Sequence, residues 1–118
     1  MGKEIIWTAI GGDIWALIPK KRGQGFVKVP YGHHVNPGLE DVRTQLGEVD
    51  IFGLDGHLEI VLSPKLRRPE VWEELKAKSI RLLEAHYGCP ARESLADFKK
   101  HHPVKAWDNW SCFENPNS

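Results

Sequence analysis

The chain lacks the features that mark several specialised classes of protein. Its only cysteines, Cys89 and Cys112, are too few for a disulfide framework and indicate ordinary thiols in a reducing compartment. No apolar run approaches the roughly 18 to 20 residues that cross a bilayer. The N-terminal apolar run is broken at Gly11, Gly12 and Asp13, too early for a secretory signal. We therefore expect a cytoplasmic protein without membrane contact.

An excess of charge of either sign is also absent. The 16 lysines and arginines balance the 16 aspartates and glutamates, so the formal net charge is +0. No global field attracts the chain to nucleic acid or to an anionic membrane, and any such contact must come from a local patch. With 118 residues, of which 41% are hydrophobic, we expect one domain over 1–118 with a frayed end at 113–118.

The clearest signals are a hairpin and a helix in the segment Val49–Tyr87. Two apolar runs flank Asp55-Gly56, a dipeptide that suits the positive φ angles of a two-residue type I′ turn. The helix that follows begins at Pro69, carries glutamates in its first turns and ends before Gly88. Its apolar residues cover one half of a helical wheel, so it is expected to pack on a sheet.

A similar hairpin is predicted near the N-terminus, where two apolar runs flank Gly11-Gly12. The first run is apolar on both faces, as in a central strand or at an oligomer interface. When IIWTAIGGDIWALI from Ile5 is aligned with VDIFGLDGHLEIVL from Val49, the turn residues Gly11-Gly12 coincide with Asp55-Gly56. The alignment indicates either a duplicated hairpin-plus-helix unit or the general likeness of strand hairpins.

Shorter elements complete the predicted fold. The pattern favours a short strand over 26–29, a short helix over 36–46 and a third helix over 91–100. Together these elements predict an α+β fold. We expect an antiparallel sheet of about five strands built from two hairpins, with one long and two short helices packed on one face.

Large aromatic residues suggest that the molecule self-associates. The first strand is apolar around Trp7, and the C-terminal segment carries Trp107, Trp110 and Phe113 at three-residue spacing. Large exposed apolar patches are uncommon on soluble monomers, so the tail, a twin subunit or another partner must cover them. A twin is the simplest assumption, and a homodimer is therefore expected.

Residues of the types that bind metals occur without compact spacing. Cys89, Cys112 and either His101 or His102 could form part of a zinc site, but the cysteines are not paired as C-x-x-C. The structural alternative is a pair of free thiols and two solvated histidines. No cofactor is expected from this pattern.

Motifs that specify an enzyme class are missing from the sequence. There is no G-x-S-x-G, P-loop, Rossmann or H-E-x-x-H pattern. His33 and His34 resemble the histidine pair that opens an HNH nuclease motif, but the downstream residues of that motif are absent. A loop pair of histidines is more often simply solvated.

One stretch resembles the active-site hairpin of the PD-(D/E)XK nucleases. In that superfamily two carboxylates hold a divalent metal that activates water, and a lysine positions the water. The stretch is GEVDIFGLDGHLEIVLSPK, residues 47–65. The resemblance implies Asp50 as a metal ligand, Lys65 as the lysine and Glu59 as a replacement carboxylate. Ser63 stands where the second carboxylate belongs, which favours a protein that does not cleave nucleic acid.

A basic cluster follows the second strand of each predicted hairpin. The clusters could form one phosphate-contacting edge if the hairpins are duplicated, because they then lie at equivalent ends. Charged loops of this kind also serve to keep the end of a sheet soluble. The candidate residues for nucleic-acid binding are Lys20, Lys21, Arg22, Arg67 and Arg68.

These patterns favour a small soluble binding or interaction protein that is not an enzyme and that self-associates. The alternative is a nucleic-acid-binding or metal-dependent nuclease-like protein of the PD-(D/E)XK type, active or inactive. Only this alternative requires a cofactor, a divalent metal.

Overall fold

The computed structural model describes residues 3–10, 13–29, 39–47, 49–54, 56–62 and 69–102. The elements in chain order are β1 (Ile5–Ile10), β2 (Asp13–Leu17), α1 (Glu40–Leu46), β3 (Val49–Leu54), β4 (His57–Leu62), α2 (Pro69–Tyr87), β5 (Ala91–Glu93) and α3 (Leu95–His101). The five strands form one sheet in the order β3-β4-β2-β1-β5. This arrangement confirms the predicted α+β class. Among the described residues, none of the helices has both the length and the apolar character needed to cross a bilayer.

Both predicted hairpins are present, and the strands of each pair in the same register relative to the turn. Ile10 pairs with Asp13 across the first turn, and Leu54 pairs with His57 across the second, so two residues connect the strands in each case. Gly56 has a φ of 98°, the left-handed conformation that the type I′ turn requires.

The two hairpins are joined by antiparallel pairing of β2 with β4, and this pairing is symmetric. Trp15 lies opposite Glu59, and these residues occupy the same position when Ile5 is aligned with Val49. The four hairpin strands therefore have approximate twofold symmetry about an axis through that pair, perpendicular to the sheet. Shared register and symmetric joining favour duplication over the general likeness of hairpins.

The larger core lies on the face that α1 and α2 cover. The strands contribute alternate residues such as Ile14 and Ile60, and Leu83 of α2 is fully buried against them. Val42 and Leu46 give α1 the predicted apolar stripe. Burying a side chain of this size contributes about 1.5–3 kcal/mol, so packing on the sheet rather than helix propensity holds both helices.

The third helix packs on the opposite face, so the prediction that all helices share one face was wrong. Phe98 of α3 is fully buried against Ile6, Ile10 and Leu17. The reason lies in β1, whose residues are buried on both faces. Because α2 covers only one of these faces, the other needs a cover of its own.

Two further predictions of local structure need correction. The segment expected to start a helix at Ala91 forms β5, which pairs parallel with β1 and makes the sheet mixed. The helix starts later, where the Ser94 hydroxyl accepts a hydrogen bond from the Asp97 amide at 3.1 Å. Phe26 forms an isolated bridge with Pro19 in place of the strand predicted there.

Trp7 belongs to the core of a single chain. Its exposed fraction is 8%, and it packs among the residues beneath α1 and α2. The expectation that Trp7 supplies an interface rested on an uncovered apolar strand, and helices of the same chain cover that strand. Trp7 therefore does not provide the predicted surface. The other candidates, Trp107, Trp110 and Phe113, lie outside the described residues.

Candidate functional site

A basic cavity lies at the end of the sheet where β1 begins and β2 ends. Its volume is about 630 Å³, and it is bounded by the loop 20–25 and the C-terminal end of α2. Lys3, Lys20, Lys21 and His86 line it, and the described lining residues include no carboxylate. We call this site the basic cavity.

Backbone hydrogen bonds close the loop that carries two of these lysines. The Lys20 amide donates to the Gly25 carbonyl at 3.1 Å, and the Val27 amide donates to the Ile18 carbonyl at 2.7 Å. The Lys3 ammonium group donates to the Lys20 carbonyl, which ties the start of β1 to the loop. These bonds hold the lysines together at one side of the cavity.

The end of α2 forms the other side of the basic cavity. Its last carbonyls carry about half an elementary negative charge, which the three lysine charges outweigh. Burial and the nearby Glu84 carboxylate raise the pKa of the Cys89 thiol. Cys89 therefore lines the cavity as an uncharged thiol at neutral pH rather than as a reactive thiolate.

A second cavity, of about 390 Å³, lies on the far side of the same loop. Its arginine, Arg92, is bound to Glu4 at 2.9 Å and to Asp97 at 2.8 Å. These ion pairs neutralise the arginine and lower the pKa of Asp97. The described lining of this second cavity thus includes a carboxylate, Glu4, whereas that of the basic cavity includes none.

The structure describes only one of the two basic clusters predicted from the sequence. Lys20, Lys21 and Arg22 are exposed in the loop beside the basic cavity. Arg67 and Arg68 lie outside the described residues, so the single edge expected to contain both clusters stays a prediction.

The two carboxylates of the nuclease resemblance lie on the same face of the sheet. Asp50 is opposite Val61 and Phe52 is opposite Glu59, so Asp50 and Glu59 are diagonal neighbours across β3 and β4. Asp50 is exposed, and its carboxylate lies 3.7 Å from the Arg43 guanidinium group. Lys65 and Ser63 are outside the described residues, so convergence of the three candidates stays a prediction.

Glu59 has an unusual protonation equilibrium. Burial, together with the negative charge of Asp13 on the same face, raises its pKa to about 7. Carboxylates with a raised pKa are common at functional sites, although buried carboxylates with a structural role can also have a raised pKa. Within the described parts of the chain, no three histidine, cysteine, aspartate or glutamate side chains are placed to hold a metal ion.

A buried histidine pair, not anticipated from the sequence, lies on this same face. His57 Nδ1 and His102 Nε2 are 3.1 Å apart, so one of these nitrogens donates to the other. Trp15 stacks on the His57 ring with the ring centroids 4.6 Å apart. A side chain at Gly56 would approach the His102 ring to 3.4 Å, so the turn glycine also makes room for the pair.

Burial and the nearby charge of His102 lower the pKa of His57 to about 3. His57 is therefore neutral at physiological pH. Of the two histidines proposed for the zinc site, His102 pairs with His57, and His101 lies edge-on to Phe26 with the ring centroids 5.1 Å apart. The fourth candidate for that site, Cys112, and the loop pair His33 and His34 lie outside the described residues.

Comparison with known proteins finds no relative. No family model matches the chain, and neither the curated proteins nor the solved structures include a match. The chemistry of the sites, rather than the fold, is therefore what bears on function in this chain.

Proposed function

We propose that this chain is a small non-enzymatic binding protein whose basic cavity binds a ligand carrying phosphate groups. The supporting observation is the lining of that cavity, with Lys3, Lys20 and Lys21 and no carboxylate among its described residues. In a chain with a formal net charge of +0, this local excess of positive charge selects for anions. A cytoplasmic location and self-association as a homodimer belong to the same proposal.

The size of the basic cavity restricts the ligand. A volume of about 630 Å³ lies within the usual range of sites for small molecules and cofactors. Lysine ammonium groups act on phosphate as point charges and impose little geometric selection. The cavity therefore suits a nucleoside phosphate or a short length of single-stranded nucleic-acid backbone, which share the same anionic chemistry.

Replacing Lys20 and Lys21 by alanine is expected to weaken binding of a labelled single-stranded oligonucleotide and of a nucleoside triphosphate by about tenfold or more. For the oligonucleotide, the slope of log affinity against log salt should fall by roughly 1.4, because about 0.7 is lost for each phosphate contact to a single strand. Fluorescence anisotropy gives the oligonucleotide affinity, and calorimetry gives that of the triphosphate. If the substitution weakened the binding of only one of these two ligands, that result would identify the natural source of phosphate.

The matched control carries the same change of charge on the surface of α2. Replacing Lys78 and Arg81 by alanine also removes two positive charges but leaves the basic cavity intact. This variant should bind as the wild type does. Equal affinities for the wild type and both variants would eliminate the basic cavity as the binding site.

The second candidate function is that of a PD-(D/E)XK-like nuclease, which the shared face of Asp50 and Glu59 favours. We propose that such activity is absent, because Asp50 lies beside Arg43 and Ser63 replaces the second carboxylate. The purified protein is expected to leave single- and double-stranded DNA and RNA intact with Mg²⁺ or Mn²⁺, as judged on denaturing gels. Cleavage that is lost in Asp50→Ala would contradict this expectation and establish the nuclease.

A further inference from the structure

The two walls of the basic cavity differ in chemistry. One wall, formed by Lys3 and the loop 20–25, carries the three ammonium groups. The other wall is the C-terminal end of α2 with the residues after it, and its described lining includes no lysine, arginine or carboxylate. The lining residues of that wall are Ala85, His86, Tyr87, Gly88, Cys89 and Pro90. A ligand that fills the cavity therefore meets a cationic surface at one end and a largely apolar surface at the other.

Two aromatic rings stand at the end of α2. His86 is exposed, and Tyr87 is half-buried against the larger core. The ring centroids are 4.7 Å apart and the rings are inclined at 84°, so they meet edge to face. An edge-to-face pair provides a ring face on which another flat ring can stack. Stacking on aromatic side chains is a common way for proteins to hold a nucleobase.

The backbone of this aromatic wall is richer in acceptors than in donors. The last carbonyls of a helix have no amide partner within the helix. The Gly88 amide donates to the Glu84 carbonyl at 2.8 Å. Pro90 has no amide, and the Ala91 amide donates to the Glu84 carboxylate at 2.8 Å. The carbonyl oxygens of the last turn are therefore available as acceptors for a ligand that carries N–H groups.

The polarity of the cavity fixes where the phosphate of a ligand lies. The negative end of the α2 dipole and the nearby Glu84 carboxylate repel phosphate from the aromatic wall, whereas the lysines attract it to the other. A single phosphate group fills only a small part of a cavity of about 630 Å³. The space left at the end of α2 suits a flat ring that stacks on an aromatic side chain and donates hydrogen bonds to carbonyls.

We propose that the basic cavity binds one nucleoside polyphosphate, with its phosphates at the lysines and its base stacked at the pair formed by His86 and Tyr87. This inference rests on the proposed function and narrows the ligand to a nucleotide. An inorganic polyphosphate would use only the lysine wall, and a phosphorylated sugar has no flat ring to stack. Consecutive phosphates also suit three ammonium groups at one wall better than the spaced phosphates of a single strand do.

Calorimetric titration with adenosine triphosphate and with inorganic triphosphate tests the role of the base. The wild type should bind adenosine triphosphate about fivefold or more tightly, because only this ligand gains a stacked base. His86→Ala/Tyr87→Leu should abolish that preference and leave the affinity for inorganic triphosphate unchanged. The matched control is Phe26→Leu/His101→Ala, which removes a similar edge-to-face pair, with centroids 5.1 Å apart, from the second cavity. This control should keep the wild-type preference.

The outcomes separate this inference from the proposed function. Equal wild-type affinities for the two ligands, both weakened by replacing Lys20 and Lys21 with alanine, would overturn the nucleotide and leave the phosphate site standing. Failure of the wild type to bind either ligand would overturn both. Nuclear Overhauser effects in the wild-type complex should connect the adenine ring protons with the ring of His86 or Tyr87. Their absence at saturation would contradict the inference even if the double variant did not fold.

Discussion

Phe98→Ala is expected to lower the free energy of unfolding by about 3–5 kcal/mol, the range for removal of a fully buried aromatic ring. Phe98 is 0% exposed and is the largest side chain of the smaller core cluster. Its ring lies 6.3 Å from the Trp15 ring and 5.8 Å from the His57 ring, measured between centroids. The substitution leaves a cavity between α3 and the sheet that rigid strands cannot close.

Urea denaturation followed by circular dichroism measures this loss. Leu95→Ala is the matched control, because Leu95 lies on the same helix with an exposed fraction of 36%. Its effect should stay within about 0.5 kcal/mol. A Phe98→Ala variant as stable as Leu95→Ala would show that α3 does not hold the second face of the sheet.

Local sequence signals were sufficient to predict the two hairpins and the long helix α2. Asp55-Gly56 and Gly11-Gly12 marked two-residue turns, and Pro69 marked the start of α2, because each position restricts the backbone through its own residues. Burial of both faces of β1 also followed from its pattern of apolar residues. These features depend on neighbours in the chain, which the sequence shows directly.

The position of α3 could not be derived in this way. Its apolar stripe contains Leu95 and Phe98, and such a stripe fits either face of a sheet. The choice depends on which face α1 and α2 leave uncovered, a property of the assembled fold. β5 was missed for a related reason, since three residues carry little periodic signal and its pairing partner is 86 positions away.

The same distinction applies to the candidate sites: some are visible in neighbouring residues, and others form only when distant parts of the chain meet. The basic loop was visible as Lys20-Lys21-Arg22, because charge is read directly from the residues. The cavity beside it was not visible, since it needs the end of α2 and Lys3 to meet that loop. The His57–His102 pair was hidden for the same reason, because its members are 45 positions apart and meet only when α3 docks.

Acid is expected to destabilise the protein through His57. Its pKa is about 3 in the folded chain against 6.5 for an unperturbed histidine, because burial and His102 disfavour the charged ring. Among the described residues, no group accepts a hydrogen bond from Nε2, so a proton placed there finds no partner. Between these two pH values the unfolded chain binds a proton that the folded chain does not, and stability therefore falls as the pH falls.

The expected loss is about 3 kcal/mol between about pH 7 and pH 4, from roughly 1.4 kcal/mol per pKa unit. Glu59 acts in the opposite direction. Its pKa is raised to about 7 from 4.5, so its protonated form is favoured in the fold, and its contribution to stability is lost as the pH rises through that range. The two groups partly offset each other in the wild type, and a single pH profile does not separate them.

Glu59→Gln removes the opposing group and isolates the histidine. In this background, urea denaturation at a series of pH values should show a steeper loss of stability below pH 6.5 than in the wild type. Adding His57→Gln should flatten the profile, because the amide keeps a polar partner for His102 but binds no proton. His86→Gln, at an exposed position of α2, is the control and should leave the slope unchanged. An equally steep profile after His57→Gln would assign the acid sensitivity to groups other than this histidine.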